Sequence, residues 1–202
     1  LMAHKINEEE CTECGACADV CPNEAISPAD GFYVINAEEC DDCGTCVDEC
    51  PVSQDVPAYM RAVREGDFDR AVEITRADNP LGSMLGRVCD HLCETTCIRT
   101  HMDEPLAIRE MKRFIMEHET ETRETRSAGT AGKVAIVGAG PAGLACADVL
   151  ARSGIRAVVY DAYPEIGGLL TYGIPGFKLE KDVVMQRIDQ LEKGGVRFVL
   201  NC

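Results

Sequence analysis

The sequence predicts three successive units of different class: a small α+β segment, an all-helical segment, and the first half of a doubly wound α/β domain. Three observations carry this reading. A cysteine pattern occurs twice within the first 55 residues. Apolar residues then recur at helical spacing as far as residue 119, punctuated by capping residues and glycines. After a polar stretch, an apolar strand runs into a glycine-rich turn, a helix and a second strand. The expected boundaries are 1–55, 56–120, a polar linker at 121–132, and 133–202.

In the first unit, Cys11, Cys14, Cys17, Cys21 and Pro22 recur as Cys40, Cys43, Cys46, Cys50 and Pro51, a constant offset of 29. The spacing C-x2-C-x2-C-x3-C-P is a bacterial-type iron–sulfur signature. Three thiolates on one tight loop can cap three corners of a cubane, after which the chain turns away and the fourth cysteine reaches a different cluster. Gly15 and Gly44 repeat as well, where a loop hugging a cluster needs close backbone approach. Between the runs, AISPADGFYVIN reads as a short β-hairpin with its turn at Ala-Asp-Gly. Zinc sites draw on two separated pairs, and disulfides need an oxidising compartment, so neither explains a triple within seven residues. The segment resembles a two-cluster [4Fe–4S] ferredoxin. That logic pairs the runs crosswise, Cys11, Cys14 and Cys17 with Cys50, and Cys40, Cys43 and Cys46 with Cys21.

Bulk composition narrows the function. The chain has 202 residues, 46% of them hydrophobic, with thirteen cysteines and a net charge of −15. Residues 1–60 hold 14 Asp and Glu against one Lys, a net of −13, which leaves −2 for the remainder. So acidic a lobe excludes nucleic-acid binding and suits docking to a basic patch on a redox partner. The N-terminus LMAHKINEEE lacks the apolar core of a secretory signal, and no apolar run approaches membrane-spanning length. A reducing cytoplasm is the expected location.

The second unit reads as helices over Val56–Glu65, Phe68–Ala77 and Met102–Glu119. Pro57 and Gly66 mark the ends of the first, Asp67 caps the second, and Pro105 sits in the first turn of the third. Tyr59, Met60, Val63, Phe68, Val72 and Ile74 form the expected buried faces, joined by Leu106, Ile108, Met111, Phe114 and Ile115. Cys89, Cys93 and Cys97 are four apart, which would stack them along one helical face. By spacing alone they serve equally well as small buried residues. His91 is expected to be solvated.

The run from CDDCGTCVDECP through PVSQDVPAYMRAVREGDFDRAVEITRADNPLGSMLGRVCDHLCETTC to DEPLAIREMKRF closely resembles the helical iron–sulfur domain of glutamate synthase small subunits. Dihydropyrimidine dehydrogenases and bifurcating NADH-dependent ferredoxin:NADP oxidoreductases share that domain. The resemblance implies that Cys89, Cys93 and Cys97 are cluster ligands. It also implies a second wiring, Cys40, Cys43 and Cys46 with Cys97, and Cys50 with Cys89 and Cys93; the repeat, complete down to both prolines, favours the crosswise pairing. Many relatives have a further cysteine where this chain has Leu85. Several draw a fourth ligand from a Glu or Gln on the last helix, where this chain has Lys112, whose ammonium has no lone pair to give. Glu110 is nearby.

The third unit begins KVAIVGAGPAGLACADVL. Strand Val134–Val137, the turn Gly138-Ala139-Gly140-Pro141-Ala142-Gly143, a helix ending near Ser153-Gly154, and strand Arg156–Tyr160 with Asp161 at its end form a dinucleotide-binding fingerprint in its required context. Gly138 permits the turn, Gly140 lets the backbone approach a pyrophosphate, and Gly143 lets the helix pack on the strand. The helix N-terminus offers N–H groups to phosphate oxygens. Asp161 is placed to accept ribose hydroxyls. A helix at Glu180–Gly194 and a strand at Val196–Leu200 follow, and Cys146 reads as a small core residue. GAGPAG followed by PEIGGLLTYGIPGFKL looks like the flavin site of the same small-subunit family, a Rossmann-type FAD-binding half-domain. Gly167, Gly168 and Leu169 would then wrap the flavin side of the pyrophosphate.

Clusters pass single electrons, whereas a flavin takes up a hydride pair and releases electrons singly. The resemblance implies two or three [4Fe–4S] clusters and FAD in this chain. It places NAD(P)H at a site outside the chain and adds a protein partner, either a redox protein with a basic docking surface or a large catalytic subunit. No nucleophile or general base stands out, so no catalytic side chain is assigned. The expected function is an iron–sulfur flavoprotein oxidoreductase, or its N-terminal fragment. The alternative is a non-catalytic electron-relay or docking subunit feeding a separate redox enzyme. A single glycine fingerprint on half a doubly wound sheet leads to the expectation that the oxidoreductase continues past these residues.

Overall fold

The computed structural model describes residues 18, 25–35, 45–101, 104–119 and 132–202. Cys11, Cys14, Cys17, Cys21, Cys40 and Cys43 lie outside them, as does the expected linker apart from Gly132. Strands β1 (Ile26–Ala29) and β2 (Phe32–Ile35) pair antiparallel, Ile26 opposite Ile35 and Ala29 opposite Phe32. Asp30 and Gly31 make the expected turn, with Gly31 at φ 84°, where a side chain would be strained.

The helical unit starts with α1 (Thr45–Asp48), which carries Cys46. Helix α2 (Val56–Arg64) begins where the Asp55 carboxylate accepts the Ala58 N–H at 3.0 Å, with Pro57 in its first turn. Helix α3 (Phe68–Asp78) begins likewise, Asp67 accepting from the Arg70 N–H at 2.9 Å. Each such cap contributes about 1 kcal/mol. Tyr59, Ala62, Ala71 and Val72 close onto Ile108, Ile115 and Met116 to form this unit's core.

Two expectations about this unit are corrected. Cys89, Cys93 and Cys97 do not share one helix. Helix α4 (Gly82–Val88) ends at Cys89, whose backbone is extended, and His91 is left-handed at φ 48° before α5 (Leu92–Thr95) begins. The break turns Cys89 and Cys93 toward a common space instead of stacking them. The last helix, α6 (Ile108–Glu117), starts six residues later than expected, after a 3-10 turn at Ile98–His101. Pro105 lies before it, because proline disfavours a helical conformation in the residue preceding it. The buried face of α6 is therefore Ile108, Lys112, Ile115 and Met116, while Leu106 and Phe114 stay 39% and 40% exposed. The Phe114 ring instead meets Phe68 edge-on, 5.6 Å between centroids.

The α/β unit comprises β3 (Lys133–Val137), α7 (Pro141–Arg152), β4 (Arg156–Tyr160), α8 (Leu169–Tyr172), α9 (Lys181–Lys193) and β5 (Arg197–Val199). The strands are parallel in the order β3-β4-β5, as two βαβ crossovers require. The short α8 was not foreseen from the sequence. Cys146, expected in the core, is exposed on α7.

Helix α4 joins the two larger units. Its Met84 and the preceding Leu81 belong to one core with Leu144, Ala147 and Ala151 of α7 and Ile188 and Leu191 of α9. On its other side α4 crosses α6 closely at Gly86, where a Cβ would lie 2.8 Å from the Arg113 Cα. A buried ionic knot fastens the same junction. Arg187 donates to the Pro80 carbonyl and to Gln190 Oε1, both at 3.0 Å, and is paired with the Asp148 carboxylate. Arg152 reaches the same carboxylate at 2.9 Å and donates to the Arg76 carbonyl at 3.1 Å. Burial, with Arg76 alongside, pushes the Arg187 guanidinium down to about 10. Removing one member of so buried a pair costs about 3–5 kcal/mol, since the other charge is left unpaired. No described helix is long and apolar enough to cross a membrane.

Candidate cluster cavity and dinucleotide loop

Cys50, Cys89 and Cys93 line one cavity of about 320 Å³, walled by Val56, Leu85 and Val88 and by Lys112. Cys50 arrives on the turn after α1, held by its N–H to the Val47 carbonyl at 3.1 Å. Cys89 is presented by the end of α4 and Cys93 by α5. His91 stands at the rim, its backbone N–H 3.4 Å from Cys89 Sγ and its ring 3.7 Å from Glu94. Burial pushes the Cys93 thiol up, while Lys112 pulls it the other way. Cys97 does not line this cavity, and α1, with Cys46, packs beside α5. The structure thus gathers Cys50 with Cys89 and Cys93. The crosswise partners of Cys50, namely Cys11, Cys14 and Cys17, lie outside the described residues.

The donor set suits a cluster better than a single ion. Among the described residues, no three Cys, His, Asp or Glu converge closely enough to hold one metal ion. A cubane binds its thiolates on separate irons, around a wider space. Buried polar atoms without partners support this. The Tyr59 hydroxyl is fully buried with no hydrogen bond, and burial together with Cys93, Cys46, Cys50 and Cys89 pushes its ionisation up. Asn79 Nδ2, a donor, also lacks a partner among the described residues and lines the cavity, whereas the Gln54 amide N–H is already given to the Thr75 carbonyl at 3.1 Å. Buried donors are ordinarily satisfied, so donors beside empty space imply an acceptor that occupies it. Cluster sulfurs are such acceptors. Glu110 is exposed and paired with Arg109, so it is not a member of the site. Tyr59 was missed because helical periodicity marks it only as core, and Gln54 and Asn79 because they sit in the turns flanking the helices, where no periodic signal applies.

The glycine loop is built as its spacing predicts. Gly138 has φ 104°, and α7 starts at Pro141 with Gly140 as its uncapped N-terminal flank. Leu144 is the first residue to bond back into the helix, to the Gly140 carbonyl at 2.9 Å, so the N–H groups of Ala142 and Gly143 have no intrahelical partner. A Cβ on Gly140 would meet only the Gly168 Cα, at 4.0 Å, leaving open space beside those N–H groups. A Cβ on Gly143 would come 1.9 Å from the Gly138 carbonyl oxygen, so the close packing is against the turn more than the strand. Gly167 leans on the loop, its N–H donating to the Ala139 carbonyl at 2.8 Å, and Gly168 crosses Gly140. Leu169 opens α8 and is exposed. Asp161 ends β4, accepting the Ala139 N–H at 2.6 Å and the Tyr163 N–H at 2.9 Å. The bonds from Tyr163 and Ala139 hold its carboxyl below the usual carboxylate range. Such a loop can cradle a phosphate group at the helix N-terminus, with the Asp161 carboxylate alongside.

Residues 29–124 match a family described as dihydropyrimidine dehydrogenase domain II, 4Fe-4S cluster. Residues 4–27 match a 4Fe-4S binding domain, and residues 136–184 an NAD(P)-binding Rossmann-like domain. The boundary between the first two families falls between the cysteine runs, so Cys40–Cys50 shares a family match with Cys89, Cys93 and Cys97. The chain is 45% identical over 152 residues to the glutamate synthase [NADPH] small chain of Escherichia coli, covering 72% of this chain and 32% of that one. It is 38% identical over 172 residues to the NADP(+)-dependent formate dehydrogenase subunit beta of Moorella thermoacetica, covering 73% and 24%. It is 39% identical over 155 residues to an NADPH-Fe(3+) oxidoreductase subunit beta of Geobacter sulfurreducens, covering 72% and 22%. The chain spans about a third or less of the length of these relatives.

Proposed function

For a glutamate synthase small-subunit-like chain with 4Fe-4S domains ahead of a Rossmann-like domain, we propose part of an iron–sulfur flavoprotein oxidoreductase, passing electrons between NAD(P)H, FAD and [4Fe–4S] clusters to a protein partner. The observation that carries this reading is the shared core at α4. The helix that presents Cys89 packs on α9 and shares one apolar core with α7, whose N-terminus carries the glycine loop. One rigid junction thereby holds a cluster cavity at a set distance from a dinucleotide site, which is what electron transfer between them needs. When bound, FAD supplies the exchange of hydride pairs for single electrons, and the clusters carry those electrons singly.

The chain's own residues bind and orient. Ala142 and Gly143 offer N–H groups to the pyrophosphate, Asp161 accepts from the ribose, and Gly167, Gly168 and Leu169 form the facing wall. Cys50, Cys89 and Cys93 hold one cluster. Cys40, Cys43 and Cys46 join Cys97 at a second, and Cys11, Cys14, Cys17 and Cys21 serve the ferredoxin-like lobe. The acidic N-terminal lobe docks a redox partner through a basic surface or packs on a large catalytic subunit.

The test is anaerobic purification of the complete protein followed by NAD(P)H addition. About eight to twelve irons per chain and bleaching of the cluster absorbance are expected. Stoichiometric zinc with little iron would sink the reading. Cluster-resolved EPR then settles the wiring. Cys50→Ala is expected to remove the same signal as Cys89→Ala, and a match to Cys11→Ala instead would restore the crosswise pairing.

A further inference from the structure

Lysine is almost never fully buried unless paired, yet Lys112 is 4% exposed in the middle of α6 and lines the cavity of Cys50, Cys89 and Cys93. Among the described residues, no carboxylate lies within ion-pair distance of it and no hydrogen bond reaches it. Glu49 and Asp90 also line the cavity, but both are exposed and neither pairs with it. The remaining polar groups lining the cavity are the three thiols, His91 at the rim, and the neutral side chains of Gln54 and Asn79. The cation acts on Cys93 electrostatically. A cation held this way needs a negative counterpart, and the cavity is the place for it. Three thiolates around an iron–sulfur core supply net negative charge, which grows by one on reduction.

Resting on the cluster reading above, we propose that Lys112 is the charge partner of the cluster held by Cys50, Cys89 and Cys93, favouring its reduced form and leaving its fourth iron without a ligand from α6. One-electron reduction, by an electron delivered from the flavin, adds a negative charge beside the ammonium. No bond to Lys112 forms or breaks, and no proton leaves it. Lys112 is thus a positioning residue for charge, not a ligand.

The experiment is an anaerobic redox titration of the complete protein followed by EPR. Lys112→Met keeps the chain's bulk and removes the charge, and one cluster's midpoint potential is expected to shift negative while the others stay. Lys112→Arg, which keeps the charge, is expected to stay near the parent value. If Lys112→Met proves too unstable to hold iron, Lys112→Leu, also neutral and without a donor atom, replaces it in the same titration. Unchanged potentials in the neutral variant at full iron content would overturn the proposal, as would an equal shift in Lys112→Arg. Cys89→Ala separates this from failure of the cluster reading. Full iron and an unaltered spectrum in Cys89→Ala would refute the site itself. Loss of one signal there, with no potential shift in the Lys112 variants, would refute only the role of Lys112.

Discussion

Gly140→Val separates the protein's own need for a glycine from the ligand's. Gly140 has φ −80° and ψ −174°, an extended conformation that valine adopts freely. Its Cβ would meet nothing nearer than the Gly168 Cα at 4.0 Å, so the folded chain is expected to lose less than about 1 kcal/mol. The pyrophosphate pays instead, because the new side chain fills the space in front of the Ala142 and Gly143 N–H groups. Two hydrogen bonds to a charged group are worth about 1.5–3 kcal/mol each. Their loss amounts to roughly 3–6 kcal/mol, a weakening of about 10²- to 10⁴-fold in flavin affinity. Gly143→Ala is the contrasting variant: its Cβ, 1.9 Å from the Gly138 carbonyl, forces the turn itself to move. The assay is flavin content and thermal unfolding of the purified protein carrying the entire flavin domain. Gly140→Val is expected to lack flavin while its flavin-free Tm matches that of the flavin-stripped parent and its iron is retained. Gly143→Ala is expected to lose flavin and stability together. Normal flavin in Gly140→Val would show the pyrophosphate to be bound elsewhere.

Three further outcomes are expected. Burial raises the Glu119 carboxyl, but the hydrogen bond and charge of Arg76 outweigh it and the net shift is downward from 4.5. The pair therefore stabilises above about pH 4.5 and its contribution is lost as pH falls through the lower native value; Glu119→Gln should flatten that acid limb in a series of Tm measurements against pH. Tyr59→Phe removes only a hydroxyl without a partner among the described residues, and should shift a cluster potential in the negative direction at unchanged iron content; identical EPR titrations would mean the hydroxyl faces no cluster sulfur. Gly86→Ala places a methyl 2.8 Å from the α6 backbone and should cost about 1–3 kcal/mol, read by denaturant unfolding, with an unchanged midpoint counting against the tight crossing.

What the amino-acid order determined by itself is everything set by neighbours in the chain. Asp55 and Asp67 cap the helices they precede, Gly31 turns a hairpin, and the strand–glycine turn–helix–strand series from Lys133 to Tyr160 folds as its spacing demands. The repeat points to cysteines as metal ligands on the same ground, since three thiolates on one loop need no distant partner. Only tertiary structure decided which distant groups meet. Cys50 belongs to one set by the repeat and to another by the family resemblance, and packing of α4 and α5 brings it beside Cys89 and Cys93. Lys112 and Tyr59 look like an exposed cation and a core aromatic on a helical wheel. Lys112 becomes a cavity residue, and Tyr59 a buried hydroxyl near its cysteines, only because α6 and α2 pack around them. Arg187 and Asp148 carry no local signal for pairing, and their meeting depends on how α9 and α7 pack. Local signals follow from the short range of backbone hydrogen bonding and sterics. Partnerships across the fold follow from burial, which makes an unpaired charge or donor costly wherever in the chain its partner lies.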